Sequence, residues 1–273
     1  MKRKQQIAAV MAVVFLTIFL ASAVVVTTYF RESKKQEAAF QELEHIAKQE
    51  TSSESGRVNS SEEVGGTENS FKLDFDALYE RNPDFWGWIK IEDTQLSYPV
   101  MYTPDDPEHY LHRDFDGNYS TRGVPFLDGT CSDNCGNYII YGHHMKDGTM
   151  FGSLLSYAKK DYWESHPTIQ LSTREEQATY TILAAFYAKA YNQEDFGVFR
   201  YYQYADLTDP DIFNEYVEQV KAAALYDTDI EIQPGNQLLT LSTCSYHTNN
   251  GRFVVVAQKE QISQSNSKFS EVK

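Results

Sequence analysis

The feature that most restricts the fold of this chain is an uncharged apolar run near its N-terminus. Residues 7–29 read IAAVMAVVFLTIFLASAVVVTTY and contain no charged side chain. At about 1.5 Å per residue, a helix of this length spans the hydrocarbon core of a bilayer, which is about 30 Å thick. The sequence therefore predicts a transmembrane helix here, and the residues after it must form the folded body.

A cleaved signal peptide is the alternative interpretation of the same run. The small residues Ala21, Ser22 and Ala23 have the pattern of a cleavage site, but three valines follow them and the run is long for a signal sequence. We therefore favour an anchor. Basic residues flank both ends, so the positive-inside rule is nearly balanced. The simpler topology is a single-pass protein of the cell membrane, with a short cytoplasmic N-terminus and an extracellular C-terminal domain.

Composition divides the chain after the anchor. Residues 32–50 have helical periodicity with one apolar stripe, which predicts a stalk helix or an N-terminal helix packed on the folded body. Residues 51–70 contain no aromatic side chain and consist mainly of Ser, Glu, Gly, Thr and Asn, which predicts a flexible linker. The predicted divisions are a cytoplasmic tail (1–6), a transmembrane anchor (7–29), a stalk helix and linker (30–70), a folded domain (71–260) and a polar tail (261–273).

The folded domain is predicted to be mainly β. Eight β-rich segments separated by turns indicate a closed barrel or a sandwich. These segments are 85–91, 96–102, 123–127, 137–141, 168–172, 178–187, 237–243 and 253–258. Three helices are predicted, a short one capped by Asp74, one at 151–159 and one at 211–226. The last follows Asp209 and Pro210, a helix cap and a first-turn proline.

Charge and cysteine content exclude several classes of function. The formal net charge is −15, whereas nucleic-acid binding requires a concentrated basic face, so no nucleic-acid partner is expected. Three cysteines leave at least one thiol unpaired. Cys131 and Cys135 could form a small loop disulfide or remain reduced. A zinc site is not expected, because no second Cys or His pair has ligand spacing.

Cys244 is the residue that most suggests catalysis. It follows the strand-like segment 237–243 directly, so its thiol is expected at a strand end, rigidly held and accessible. A buried structural cysteine is the alternative. A thiol nucleophile needs a base, and His143 lies at the end of another predicted strand. His144 is expected to point the other way if that strand continues, and His247 lies in a turn.

Arg252 begins the last predicted strand, which is expected to pair with the Cys244 strand as a hairpin. A guanidinium beside the thiol could stabilise a thiolate, hold a substrate carbonyl or stabilise an oxyanion. A solvated arginine next to a turn is the alternative. These residue patterns alone leave both interpretations open.

Two motifs together give the chain a family resemblance. TLSTC with Arg252 after a short hairpin, and NYIIYGHHMKDGTMF upstream, resemble the sortases of Gram-positive cell surfaces, specifically class B. The resemblance covers about residues 71–258. It implies an eight-stranded sortase-type β-barrel with N-terminal helices and an extra helix between the penultimate strands, here 211–226.

The resemblance also implies the chemistry of the site. Cys244 corresponds to the nucleophile, His143 to the general acid and base, and Arg252 to the group that binds substrate and stabilises the oxyanion. Substrate-binding positions correspond to Ser242, Thr243 and Tyr141. The thiolate attacks the threonine carbonyl of a sorting motif, and an amine resolves the thioacyl enzyme. This chemistry requires no metal or cofactor.

The implied partners are secreted proteins with a C-terminal sorting signal, NPxTx-like in class B, and an amine of the cell-wall precursor or a pilin lysine. The segment 196–206 is expected to lie at the groove that reads the motif. Two alternatives stay open at this stage. One is a hydrolytic cysteine peptidase, since water can replace the amine, and the other is a non-enzymatic surface binding module with a structural Cys244.

Overall fold

A computed structural model describes residues 2–54, 75–131, 135–232 and 234–261. The helices are α1 (Lys2–Glu54), α2 (Asp76–Arg81), α3 (Lys160–Ser165) and α4 (Pro210–Ala223). The strands are β1 (Phe85–Lys90), β2 (Ser97–Met101), β3 (Phe126–Leu127), β4 (Asn137–Tyr141), β5 (Thr168–Thr173), β6 (Gln177–Lys189), β7 (Leu238–Cys244) and β8 (Gly251–Lys259). Each strand overlaps one predicted β-rich segment, although β3 is reduced to two residues.

The strands form a closed barrel in the order β1-β2-β3-β4-β7-β8-β6-β5. The sequence left a barrel and a sandwich open, and the barrel is confirmed. Two neighbouring pairs decide where the site lies. β4 and β7 are parallel, and β7 and β8 are antiparallel. The C-terminal ends of β4 and β7 therefore lie side by side, next to the start of β8.

Successive side chains along β7 and β8 point alternately to the inside and the outside of the barrel, and both sides are apolar. Leu239 and Leu241 belong to the cluster inside the barrel, while Leu238 and Val254 pack outside it under α4. Helix α4 contributes buried residues at helical spacing, Phe213, Tyr216 and Val220. Helix α4 lies between β6 and β7 in the chain and covers this outer face of the barrel.

Helix α4 begins as the sequence predicts. Asp209 is the N-cap, its carboxylate accepts a hydrogen bond of 2.8 Å from the amide of Asp211, and Pro210 is the first helical residue. The helix ends at Ala223 rather than at residue 226. Leu225 lies outside the helix because its amide already donates to the carbonyl of Ala185 in β6, at 2.9 Å.

Two other helix predictions need correction. The segment predicted as a helix at 151–159 is a 3₁₀-helix, Phe151–Ala158, and α3 follows it directly. Helix α2 has Phe75 at its N-cap position with no side-chain cap, and the predicted cap Asp74 lies outside the described residues.

The apolar run and the predicted stalk form one helix, α1. Among the described residues, α1 is the helix that is long and apolar enough to cross a membrane, and its most apolar window is entirely exposed. Beyond that window Leu43 and Ala47 are buried against the barrel, and Phe40 and Ile46 are partly buried. The helix extends to Glu54, so the predicted linker starts later than residue 51. The linker from residue 55 onward and the tail after residue 261 lie outside the described residues.

Candidate active site

The ends of β4 and β7 bring two predicted site residues to one rim of the barrel. Tyr141, the last residue of β4, is the Cα partner of Ser242 in β7. Cys244 is the last residue of β7, two residues beyond Ser242, and His143 follows the end of β4 by two residues. The amide of Gly142 donates to the carbonyl of Ser242 at 3.1 Å, which continues the ladder past the end of β4.

Arg252 lies across the hairpin from Cys244. The two residues are Cα partners in the antiparallel pair of β7 and β8, which confirms the predicted hairpin. The Arg252 guanidinium donates to the carbonyl of Gly251 at 3.1 Å. Cys244, His143 and Arg252 are all partly exposed, so a substrate can reach this rim.

His143 is held by a segment that the sequence did not connect to it. Its Nε2 lies 2.8 Å from the carbonyl oxygen of Leu111, and its ring stacks on that of His112 with centroids 5.4 Å apart. A carbonyl oxygen only accepts, so Nε2 carries a proton and Nδ1 is left for proton transfer. The Leu111 carbonyl thus selects the tautomer of the imidazole.

Burial lowers the pKa of His143 below its ordinary value of 6.5. The hydrogen bond to Leu111 opposes this change, and the neighbouring charge of His112 adds to it. The neutral imidazole is therefore favoured over a wider pH range than in an exposed histidine.

Replacing His112 by glutamine is expected to raise the pKa of His143, because it removes the like charge that lowers it. The ascending limb of the plot of kcat/KM against pH, which reports the lower pKa of the free enzyme, should move to higher pH. A matched control is His109→Gln, since that ring forms a hydrogen bond with Asp106 at 3.0 Å and packs edge-on against Tyr110. If the ascending limb in His112→Gln stays at the wild-type pH or moves to lower pH, His112 does not lower the pKa of His143.

His144 is closer to the nucleophile than the sequence analysis expected. That analysis assumed a continuing strand, whereas β4 ends at Tyr141 and the chain turns. The Nδ1–H of His144 donates to the main-chain carbonyl of Cys244 at 3.0 Å, and its ring lies 5.4 Å from that of Tyr246. The continuing strand on which His144 was expected to point away is therefore absent. The ring of His247 instead lies beside that of Tyr187, tilted by 56° with centroids 4.8 Å apart.

The predicted substrate-binding residues lie beside the nucleophile, but their hydroxyl groups form hydrogen bonds within the protein. The Thr243 hydroxyl donates to the carbonyl of Gly142 at 2.7 Å, and the Tyr141 hydroxyl donates to Asp128 at 2.8 Å. Ser242 and Thr243 are buried. Burial is also the main reason that the pKa of Tyr141 is raised. Their contact with substrate stays a prediction.

Tyr201 belongs to this site and was missed from the sequence. Its hydroxyl lies 2.7 Å from Oγ of Ser242. Burial raises its pKa to about 12, and the hydrogen bond with Ser242 and the Arg252 charge oppose this increase. Tyr201 begins the short 3₁₀-helix Tyr201–Gln203, within the segment expected at the groove. A tyrosine in a loop has no spacing that could have indicated this position.

Cys131 and Cys135 lie near the start of β4, away from Cys244, and both are buried and reduced. Each Sγ is within hydrogen-bonding distance of the carbonyl of Asn137, at 3.5 Å and 3.4 Å. The hydrogen bond with Cys135 and burial raise the pKa of the Cys131 thiol. Cys131 is therefore a poor nucleophile, and both buried thiols are less accessible than Cys244.

The closed eight-stranded barrel carries an accessible thiol at the end of β7, and comparison with known proteins gives the class of the protein, a cysteine transpeptidase. A family model described as Sortase domain matches residues 89–260. Sortase B of Listeria monocytogenes is 30% identical over 182 residues, which cover 65% of this chain and 70% of that protein. Sortase B of Staphylococcus aureus is 27% identical over 267 residues, covering 96% and 99%.

Solved structures show the same relationship. A substrate complex of Staphylococcus aureus sortase B matches with a TM-score of 0.69 and 25% identity, covering 85% of this chain and all of that one. Bacillus anthracis sortase B matches with a TM-score of 0.66 and 27% identity, covering 85% and 99%. The chain belongs to the sortase family, and its relatives are of class B. It is a cysteine transpeptidase of the cell surface that acts on substrates with sorting signals.

Proposed function

We propose that this sortase is anchored by α1, cleaves an NPxTx-like motif near the C-terminus of secreted proteins and joins them to an amine of the cell-wall precursor. One observation supports the assignment above the others. Cys244 and Arg252 are Cα partners across β7 and β8, and His143 follows the end of β4, the strand that pairs with β7, which supports a site made of these three residues. Nucleophile, proton carrier and fixed cation are the groups that acyl transfer through a thioester needs.

In the first half-reaction, the Cys244 thiolate attacks the threonine carbonyl of the sorting motif. Arg252 stabilises the negative charge that develops on the carbonyl oxygen. His143 donates its proton from Nδ1 to the departing amine, so the peptide bond breaks and a thioester forms. The C-terminal fragment leaves with a new N-terminus.

In the second half-reaction, an amine attacks the thioester. His143, now neutral, accepts a proton from the attacking nitrogen. The carbon–sulfur bond breaks, an amide bond forms and Cys244 returns as a thiolate. The Leu111 carbonyl holds Nε2 throughout, so the same nitrogen, Nδ1, serves both steps.

The protonation of His143 follows from its environment. Because burial lowers the pKa of His143, its imidazole is mainly neutral near pH 7. The imidazolium that donates a proton to the leaving amine is then a minority form. Arg252 supplies a positive charge for the oxyanion that develops during the attack.

Membrane anchoring is part of the proposal and rests on α1. The exposed apolar window of this helix has the length of a bilayer span. The barrel follows on its C-terminal side, so a cytoplasmic N-terminus puts the active site outside the cell. Protease protection of the N-terminal tail in sealed vesicles, with digestion of the barrel from outside, tests this topology.

A peptide and amine experiment tests the function. The full chain in detergent is incubated with a set of NPxTx peptides and scrambled controls, with a cell-wall type amine, a pilin-type lysine peptide or no amine. Mass spectrometry of the products should show cleavage after threonine and a new amide with the wall-type amine. Ligation to the lysine peptide alone indicates a pilin polymerase, and water as the sole acceptor indicates a hydrolase.

A further inference from the structure

The part of α1 that follows the apolar run docks on the barrel beside the loop that carries His143. The docking residues recur at spacings of three and four, which puts them on one face of the helix. They are Ser33, Gln36, Phe40, Leu43 and Ala47. The two nearest the apolar run are polar and the other three apolar. Gln36 donates to the hydroxyl of Ser120 at 2.7 Å.

The polar part of this contact centres on Arg122, whose side chain is 4% exposed. Its guanidinium donates to Ser33 Oγ on α1, to the Asp147 carboxylate and to Thr149 Oγ1. Ser33 Oγ also donates to Asp147 at 3.4 Å. A buried guanidinium is stable only when paired in this way, so the cluster fixes all four residues relative to one another.

Asp147 and Thr149 belong to the loop 142–151, in which His143 lies. The amide of Phe151 donates to the carbonyl of His143 at 2.9 Å, and His144 pairs with Met150 in a β-bridge. These bonds close the loop into a compact unit. A displacement of Asp147 is therefore transmitted to His143 four residues away.

A second contact links α1 to the far end of the same loop. Met150 has φ of 53°, which is strained for a residue with a side chain. Its amide donates to the Tyr98 hydroxyl at 2.9 Å, and Phe40 of α1 packs edge-on against the Tyr98 ring with centroids 5.2 Å apart. Helix α1 therefore supports the loop at both Asp147 and Met150.

We propose that α1 positions the general acid and base as well as tethering the enzyme, and that Ser33 is a positioning residue for His143 acting through Arg122 and Asp147. The proposal rests on the function assigned above to His143. Ser33 lies four residues beyond the end of the apolar run, about 6 Å along a helix. The His143 loop is thus fixed to the first turn of helix outside the predicted span.

The test compares three full-chain variants in detergent. Ser33→Ala removes the hydroxyl, Ser33→Thr retains it, and Glu42→Gln is a matched control on the same helix, since Glu42 pairs with the exposed Arg81 at 3.6 Å. Two readouts are taken. One is kcat and KM with the NPxTx peptide that the wild type cleaves best, and the other is amide hydrogen exchange over residues 142–151.

Because Ser33→Ala loses one hydrogen bond, its kcat should fall by about three- to tenfold. Its KM should stay within about twofold of the wild-type value, because proton transfer is affected more than binding. Amides of the loop should exchange faster by a similar factor. Ser33→Thr should restore both values, and Glu42→Gln should match the wild type. In an Asp147→Asn background, Ser33→Ala should have a smaller further effect on kcat.

Wild-type exchange and wild-type kcat in Ser33→Ala would overturn the proposal. So would equal effects of Ser33→Ala and Glu42→Gln, since these would reflect general loosening of the helix. The exchange readout needs no substrate. Failure of the proposed function, seen as full activity in Cys244→Ala, is therefore distinguishable from failure of this inference.

Discussion

Replacing Cys244 by alanine is expected to lower transpeptidation by at least about 10³-fold, because the acyl group then has no nucleophile to which it can transfer. The barrel should still fold, since Cys244 is partly exposed at the end of β7 and the ladder with β8 uses only main-chain atoms there. The measurement is product formation from an NPxTx peptide and an amine. The adduct of the peptide on the wild-type enzyme should be absent from the variant.

The other two cysteines provide an internal control for this experiment. Cys131 and Cys135 are 2% and 3% exposed, so a brief treatment with an alkylating reagent should label the native wild type once. The labelled residue should be Cys244, and Cys244→Ala should take up no label. Cleavage that persists in Cys244→Ala would remove the basis of the proposed mechanism, and labelling of Cys131 would contradict its burial.

Replacing His143 by alanine is expected to lower kcat/KM by about 10²- to 10⁴-fold, the usual contribution of a general acid and base. The leaving amine would then depart without a proton donor. His144→Ala should cost less, about tenfold or below, because it removes one hydrogen bond to the main chain of Cys244 and no proton carrier. His247→Ala should be close to the wild type. Steady-state kinetics of the three variants with the same peptide make the comparison.

The comparison can contradict the assignment in two ways. A larger loss in His144→Ala than in His143→Ala would make His144 the proton carrier, since its ring is the one bonded to the Cys244 main chain. A loss confined to His247→Ala would move the base to the hairpin turn. Hydrogen exchange of the loop 142–151 in each variant separates a lost proton carrier from a displaced loop.

Much of the fold is already present in local patterns of the sequence. The eight strands follow from β-rich segments between turns, and the start of α4 follows from Asp209 and Pro210, because a cap and a first-turn proline act on adjacent residues. The pairing of Cys244 with Arg252 is also local, since a short turn joins their strands. The motifs around Cys244 and His143 were sufficient to indicate the sortase family, and the comparisons confirm it.

Other predictions depended on how far a local pattern extends. His144 was expected to point away from the site only if its strand continued, and β4 ends at Tyr141. The segment 151–159 has helical composition, but the structure is a 3₁₀-helix there and α3 begins only at Lys160. Where a strand or a helix stops depends on what packs against it, and no local pattern records that.

The amino-acid sequence by itself determined the apolar run, the strands and the hairpin that joins Cys244 to Arg252. Only the tertiary structure decided how residues distant in the chain meet. His144 reaches Cys244 across 100 residues, and Leu111 reaches His143 across 32. Parallel pairing of β4 with β7 and docking of α1 on the His143 loop are set by burial of complementary surfaces after the chain closes. The apolar stripe of α1 indicates a buried helix face, but no local pattern indicates which surface covers it or which strands pair.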